Sequence, residues 1–378
     1  MSEIQAHNVV SPSLLFDLDM LRTAYTRFSQ CFHYADVYYA VKANPHTYVL
    51  QELAAMGACF DVASVGEIKK CCELGISPSR LSFGHTVKKA YDIAFAWQQG
   101  IRIFAYDCIE ELEKIAKYAP GSKVICRLAT TCSNAAWPLD HKFGCSIEKA
   151  DKLIACVLGM GLVPYGISFH VGSQANTPYA WEKMIDSASF LWKRCTSLGI
   201  HLECLNIGGG FPVGYSGEEV DLSTYSSYIY DKLKRCFPQR NFPAIMAEPG
   251  RALVADAGVI DTEVILVTRD STNPDMKWVY IDAGIFNGLM ESLGEAIRFR
   301  IIPPENRTGE KKACILAGPS CDSIDVMYRK NPCMLPDDVQ SGDVLRILSC
   351  GAYCATYASV DFNGFRSIQT EFIDTGKL

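Results

Sequence analysis

The sequence predicts a closed (β/α)8 barrel, of class α/β, followed by an all-β domain. Two observations carry that prediction. Eight short, apolar, β-rich runs alternate with helical patterns before residue 255, and beyond it strands follow one another without long helices between them. With 378 residues and 49% hydrophobic content, the chain can bury cores of that size.

The elements follow in chain order. An N-terminal segment, residues 1–30, holds the strand-like "SLLFDLD" (Ser13–Asp19), expected to join the later β domain. The barrel is placed at residues 31–254 on the runs "VYYAVKAN", "CFDVAS", "LSFGH", "RIFAYD", "VICRLA", "GISFHVGS", "CLNIGGG" and "IMAEPGR". Between them, "EELEKIAKYA" (Glu110–Ala119) and "IEKADKLIACVLGM" (Ile147–Met160) repeat apolar residues at helical spacing. Residues 255–378 carry "VIDTEVILVTRD", "KWVYIDAG", "ACILAG", "DVLRILS" and "RSIQTEFI", which read as the strands of the second domain.

Composition excludes several classes of function. A net charge of −6 lacks the basic footprint of a nucleic-acid binder. The start "MSEIQAHNVV" has no basic-then-apolar signal, and no run approaches the roughly 20 apolar residues that span a bilayer, so a cytoplasmic protein with no membrane partner is expected. The 17 cysteines are odd in number and contain no C-x-x-C pair, which argues against a zinc ribbon, a metal site or a disulfide framework. Cys71, Cys72, Cys156 and Cys236 fall in helical patterns and read as small core residues.

In such a barrel, chemistry sits at the C-terminal ends of the strands. Those ends present Lys42, Asp61, His85, Asp107, Arg127, His170 with Ser173, Gly208 to Gly210, and Glu248 with Arg251. An amine, a glycine turn, an arginine and a carboxylate together are the parts that hold a phosphorylated aromatic aldehyde, and the cofactor needing all four is pyridoxal 5′-phosphate. Lys42 can bond to the aldehyde, since partial burial makes an amine nucleophilic. Gly208, Gly209 and Gly210 let backbone N–H groups approach a phosphate, and Arg251 adds a bidentate contact. Glu248 would keep the pyridine nitrogen protonated, and His170 could stack on the ring. Singly, each residue has a plainer reading: a solvated strand cap, a turn, a loop ion pair, a core histidine. Their order at successive strand ends favours the functional one.

The motifs "YYAVKANP", "FDVASVGEI", "WPLDHKFGC", "GISFHVGSQ", "NIGGGFP", "AEPGRALVADAG", "GPSCDSIDVMY" and "GAYCATYASVDFNGF" span residues 37 to 365. In this order they resemble the fold-type III, alanine-racemase-like pyridoxal-phosphate decarboxylases, and among these the bacterial barrel-type ornithine decarboxylases, some of which also accept lysine. The resemblance implies decarboxylation of a basic L-amino acid: L-ornithine to putrescine, in polyamine biosynthesis, with L-lysine to cadaverine as a second activity. A lysine-, arginine- or diaminopimelate-preferring decarboxylase is the alternative.

The same resemblance implies residue roles. Lys42 would be the lysine that bonds the cofactor, Glu248 the partner of the pyridine nitrogen and His170 the stacking residue. Ser173, Gly210, Arg251 and Tyr353 would bind phosphate, with Gly250 beside them, while Asp61, Glu67 and Arg127 line the site. From the second subunit of a homodimer with shared active sites, Cys321 would protonate the α-carbon, and Asp322, with Asp282 of the first subunit, would face the distal amine beside Phe362. Lys142 and Asp325 match an intersubunit salt bridge. The chain departs from the common pattern at Asn206, where many relatives have Asp, and at Cys354 beside Tyr353, where Thr is usual.

Rival readings of the fold are a racemase, which places an arginine against the pyridine nitrogen, and a non-catalytic regulator such as an antizyme inhibitor, which loses catalytic residues. Glu248 opposes the first; Lys42, Arg251, Cys321 and Asp322 oppose the second. Two acids facing the distal end suit an ammonium rather than a second carboxylate. One methylene is worth only ~1 to 3 kcal/mol, so ornithine and lysine are expected to compete.

Overall fold

The computed structural model describes residues 11–130, 135–137 as backbone, 142–238 and 242–377. The chain divides into two compact units. One unit, Arg22–Pro212 with Val220–Leu253, is the barrel. Its eight parallel strands are Ala35–Ala40, Cys59–Val62, Leu81–Phe83, Ile103–Tyr106, Lys123–Arg127, Val163–Ser168, Cys204–Asn206 and Ala244–Ala247. Each overlaps one of the eight expected runs, although Ala35–Ala40, Lys123–Arg127, Val163–Ser168 and Ala244–Ala247 begin before theirs. The ring closes where the last strand pairs with the first, Ile245 opposite Ala35 and Ala247 opposite Val37.

The strands are short and apolar because a parallel sheet is covered on both faces. Phe60, Val62, Phe83, Phe104, Ile167 and Leu205 are all buried, and Tyr38, Ile125, Cys204 and Met246 pack as one cluster. Local signals start the helices. Ser64 accepts from the Glu67 N–H at the head of Val65–Glu73, while Glu67 Oε2 accepts from the Ala63 N–H at 2.6 Å. This near-reciprocal cap satisfies two amide groups that the helix itself cannot.

The expected helix over Ile147–Met160 is α-helical only to Val157 and tightens into a 3₁₀ turn, Leu158–Met160, before Gly161 at φ 70°. The cysteine expectation fails in part: Cys71 is buried, but Cys72 and Cys236 are half-buried and Cys156 is exposed. A small antiparallel pair that the sequence did not announce joins Ala135–Trp137 to Ser173–Ala175. Residues 138–141 of the "WPLDHKFGC" motif lie outside the described residues.

The other unit takes the described residues up to Leu21, Val213–Glu219, and the chain from Val254 onward. It is a nine-stranded sheet. Ser13–Asp17 runs antiparallel to Gly258–Arg269 and parallel to Gln369–Ile373, so the early strand does join this sheet. Lys277–Ile281, Lys311–Ala317 and Val344–Ile347 are present as expected. Ile301–Ile302, Val326–Met327 and Cys333–Pro336 were not expected, being too short to show alternation. Among the described residues no helix is long and apolar enough to cross a membrane, and no group of His, Cys, Asp and Glu is arranged to hold a metal ion.

One buried ion pair ties the barrel's outer layer to its strand ends. Lys88 Nζ lies 2.8 Å from Glu111, with side chains 0% and 3% exposed, and donates to the carbonyls of His85 and Ala105. Burial draws the ammonium pKa down to about 8, although Glu111 pulls the other way. Removing Glu111 would strand the lysine in a dry site. Glu111→Ala is therefore expected to cost about 3 kcal/mol or more of stability. Urea unfolding checks this, and a change under about 1 kcal/mol, the level of a surface pair, would contradict it.

Candidate active site

The site begins at Lys42. The strand Ala35–Ala40 ends in a single 3₁₀ turn, Val41–Ala43, whose Val41 and Ala43 are buried while Lys42 is exposed. Its charge acts on Asp61, Glu67 and His170. The closing strand meets this turn: Ala40 N–H donates to Pro249 O at 3.1 Å, and a Cβ on Gly250 would lie 3.0 Å from that of Ala43.

A small depression lies in the barrel, lined by Gly84, Arg127, His170, Asn206, Glu248 and neighbouring strand-end residues. Asp61 Oδ1 is buried and has no hydrogen-bond partner. Burial first, then the charge of Glu248, holds the Asp61 carboxyl well above the usual carboxylate range, against the pull of Lys42 and Arg127. Gly84 makes room for it: a Cβ there would stand 2.1 Å from Oδ1. Glu67 is also pushed up by burial, against the Ala63 N–H and Lys42.

His170 is held neutral. Burial, then Lys42 and Arg127, puts its pKa well below the usual value. Its Nδ1 accepts the Gly172 N–H at 3.0 Å, which leaves the ring proton on Nε2. Arg127 stands over the ring of Phe143, 5.4 Å to the centroid, and His85 meets the same ring edge-on.

The glycine turn is shaped by close approach. Gly208 and Gly210 have φ of +67° and +97°, in the region that favours glycine. Gly209 is tight for another reason: a Cβ would come 2.4 Å from Glu248 O and 3.2 Å from His170 Nε2. Asn206 locks the turn to the acid. Its Oδ1 accepts the Gly208 N–H at 2.9 Å, and its amide Nδ2 donates to Glu248 Oε1. An aspartate could not make that second bond unless protonated. Close by, Arg251, 4% exposed, donates through Nη2 to Ser173 Oγ at 3.0 Å.

The barrel unit thus carries Lys42, Asp61, Arg127, His170, Ser173, Gly208, Gly209, Gly210, Glu248, Gly250 and Arg251 at its strand ends. The β unit carries the rest. Asp282 follows Lys277–Ile281, and its Oδ1 accepts from Thr262 Oγ1 and from the Glu263 N–H. Cys321 and Asp322 are exposed, and the Cys321 N–H donates to Asn363 Oδ1. Phe362 packs on Phe286 at 4.7 Å, and Tyr353 sits at φ +65°. Lys142 is exposed, 5.0 Å over the Phe143 ring, whereas Asp325 is 2% exposed and already accepts three hydrogen bonds within its own unit.

Sequence reasoning missed Gly84, the Asn206 bridge and Phe143. Only Asn206 had left a signal, as a departure from a common acid.

These residues fit pyridoxal phosphate. An unpartnered buried carboxyl, a neutral imidazole, a glycine cradle in which any Cβ would collide, and a buried arginine bonded to serine match the polar outline of a phosphorylated pyridine aldehyde. Fold and site together define a pyridoxal-phosphate enzyme. The family model for the pyridoxal-binding domain of pyridoxal-dependent decarboxylases matches residues 18–255, and the chain belongs to that family.

Among relatives, the lysine/ornithine decarboxylase of Selenomonas ruminantium is 34% identical over 95% of this chain and 89% of its own length. In structure, the Paramecium bursaria Chlorella virus arginine decarboxylase superposes with a TM-score of 0.89 at 30% identity, covering 98% of both chains. A Vibrio vulnificus lysine/ornithine decarboxylase complexed with cadaverine gives 0.86 at 29% identity, covering 96% of this chain and 95% of its own.

The cradle supplies a direct test. Gly209→Ala is expected to force Glu248 and His170 apart and to weaken cofactor retention about tenfold or more, a loss of roughly 1.4 kcal/mol. Visible absorbance after dialysis against cofactor-free buffer measures it; retention equal to wild type would show the turn has room to spare.

Proposed function

We propose that the chain decarboxylates basic L-amino acids, L-ornithine to putrescine first and L-lysine to cadaverine second. The observation that carries the reading is the pairing of Glu248 with a neutral Asn206 at the rim that also carries Lys42. A carboxylate there favours decarboxylation over racemisation. The lysine/ornithine specificity of the Selenomonas and Vibrio relatives supports the substrate class.

When bound, pyridoxal phosphate supplies a protonated ring that accepts the electron pair released as the carboxylate leaves. The chain's residues do the rest. Lys42 would be the amine that bonds the cofactor's aldehyde. Glu248 would face the ring nitrogen, and neutral His170 would lie against the ring without adding charge. Gly208 to Gly210, Ser173, Arg251 and Tyr353 would bind the phosphate, and Gly250 lets the chain pass close to Ala43 beside Lys42. Asp61 and Arg127 set the charge around the ring.

In a homodimer with shared sites, Cys321 of one subunit would give the α-carbon its proton, and Asp322 of that subunit with Asp282 of the other would receive the distal ammonium, beside Phe362. Cys321 and Asp322 are exposed on the single chain, as residues that serve a partner's site must be.

Side-by-side CO2 release from ornithine, lysine, arginine and diaminopimelate tests the reading. Ornithine should have the highest kcat/KM, with lysine within about 10- to 200-fold of it, the range that one methylene allows. Faster turnover of arginine or diaminopimelate would overturn the assignment. Lys42→Ala should lose steady turnover while its circular dichroism and melting stay unchanged, because an exposed rim lysine adds little to the core. Wild-type turnover by that variant would remove Lys42 from the chemistry.

A further inference from the structure

We propose that Asp325 is a positioning residue: one buried carboxylate that fixes both the turn after Asp282, which serves one site of the homodimer, and the loop of Cys321 and Asp322, which serves the other. The inference rests on the reading that those three residues face substrate in the two shared sites.

Both oxygens of Asp325 are engaged. Oδ1 accepts the Ile285 N–H at 2.7 Å; Oδ2 accepts the Ser320 N–H at 3.1 Å and its Oγ at 2.7 Å. Ile285 lies three residues beyond Asp282, and Ser320 directly precedes Cys321. Two glycines flank the carboxylate: a Cβ on Gly284 would stand 2.4 Å from Oδ1 and one on Gly318 2.2 Å. With side chains at either position, the carboxylate would have no place.

Each loop is closed on itself. Gly318 N–H donates to Asp325 O and Asp325 N–H to Asp322 O. Across the way, Asn287 Nδ2 donates to Asp282 O while its Oδ1 accepts the Gly284 N–H. The strands feeding the two loops pair in parallel, with Tyr280 opposite Ala317 as the last partners. Past that point the carboxylate continues the link, with ionised acceptors that make each bond stronger than a neutral one. The sequence motif placed Asp325 in an intersubunit ion pair with Lys142. In the single chain that carboxylate is 2% exposed and already holds three donors.

The test is Asp325→Asn in the full-length, cofactor-loaded protein. Asparagine keeps the size but turns one terminal atom into a donor, so either Ile285 or Ser320 loses its acceptor. KM for L-ornithine and L-lysine should rise about tenfold, with more product protonated on the wrong carbon, as expected when a charge-assisted bond is lost. Cofactor content and the dimer dissociation constant should stay at wild-type values. Hydrogen exchange at the Ile285 and Ser320 amides should quicken about tenfold while barrel amides do not change.

Ser320→Ala, which removes one donor of three, should move the same quantities less; it carries the test if the asparagine variant does not fold. Unchanged KM and unchanged exchange in either variant would overturn the proposal. So would a defect that vanishes at protein concentrations restoring the dimer, which would return Asp325 to the interface. Asp282→Ala run in parallel separates the failures. If it leaves KM untouched, the distal-amine reading falls, and amide exchange alone then judges the strut.

Discussion

The site depends on one pairing, the last barrel strand against the first. Ile245–Ala247 registers on Ala35–Val37, and the contact continues past the strands when the Ala40 N–H reaches Pro249 O. That continuation brings the turn bearing Lys42 alongside the segment bearing Glu248 and Arg251. Gly250 permits it, because the two chains pass too closely there for a side chain to fit comfortably. Side-chain period in a strand is two, so a slip of one residue at this pair would turn the residues of the slipped strand to the opposite face. Closure therefore fixes position and facing together.

Within that ring the charges are out of balance by design of the fold. Asp61 and Glu67 are both pushed up by burial, which also keeps His170 neutral; Lys42 opposes the rise of both carboxyls, Arg127 that of Asp61, and both cations add to the neutrality of His170. Glu67 is anchored by the Ala63 N–H, so its carboxylate serves helix and site at once. Asp61 has an oxygen with no partner. A buried polar atom left unmatched costs stability in an empty protein and becomes favourable when a cofactor supplies the partner.

Much of this was legible in sequence for a physical reason. Barrel strands buried on both faces stand out as apolar runs, so all eight could be placed, and residues just after each run fall on the rim without knowledge of any contact. What stayed hidden depends on distance across the fold. Gly84 looks like any loop glycine until Asp61 is seen against it, and Phe143 becomes a platform only when Arg127 and His85 arrive from other strands. The two-residue strands Ile301–Ile302 and Val326–Met327 have no room for a period. Cys156 illustrates the opposite error: a helical pattern places a thiol on a helix but does not say which side faces out.

Asn206 shows how a departure from a common pattern can carry the chemistry. Its Oδ1 is fixed by the Gly208 N–H, so its amide nitrogen must face Glu248. An acid at this position would set two carboxylates within hydrogen-bond reach, and one of them would have to take up a proton. The amide avoids that contest. It costs no charge, orients the acid, and ties it to the glycine turn whose middle residue has no space for a Cβ. Glycine turn and acid are thus one hydrogen-bonded unit, and a shift in the turn is felt at Glu248 through a single side chain.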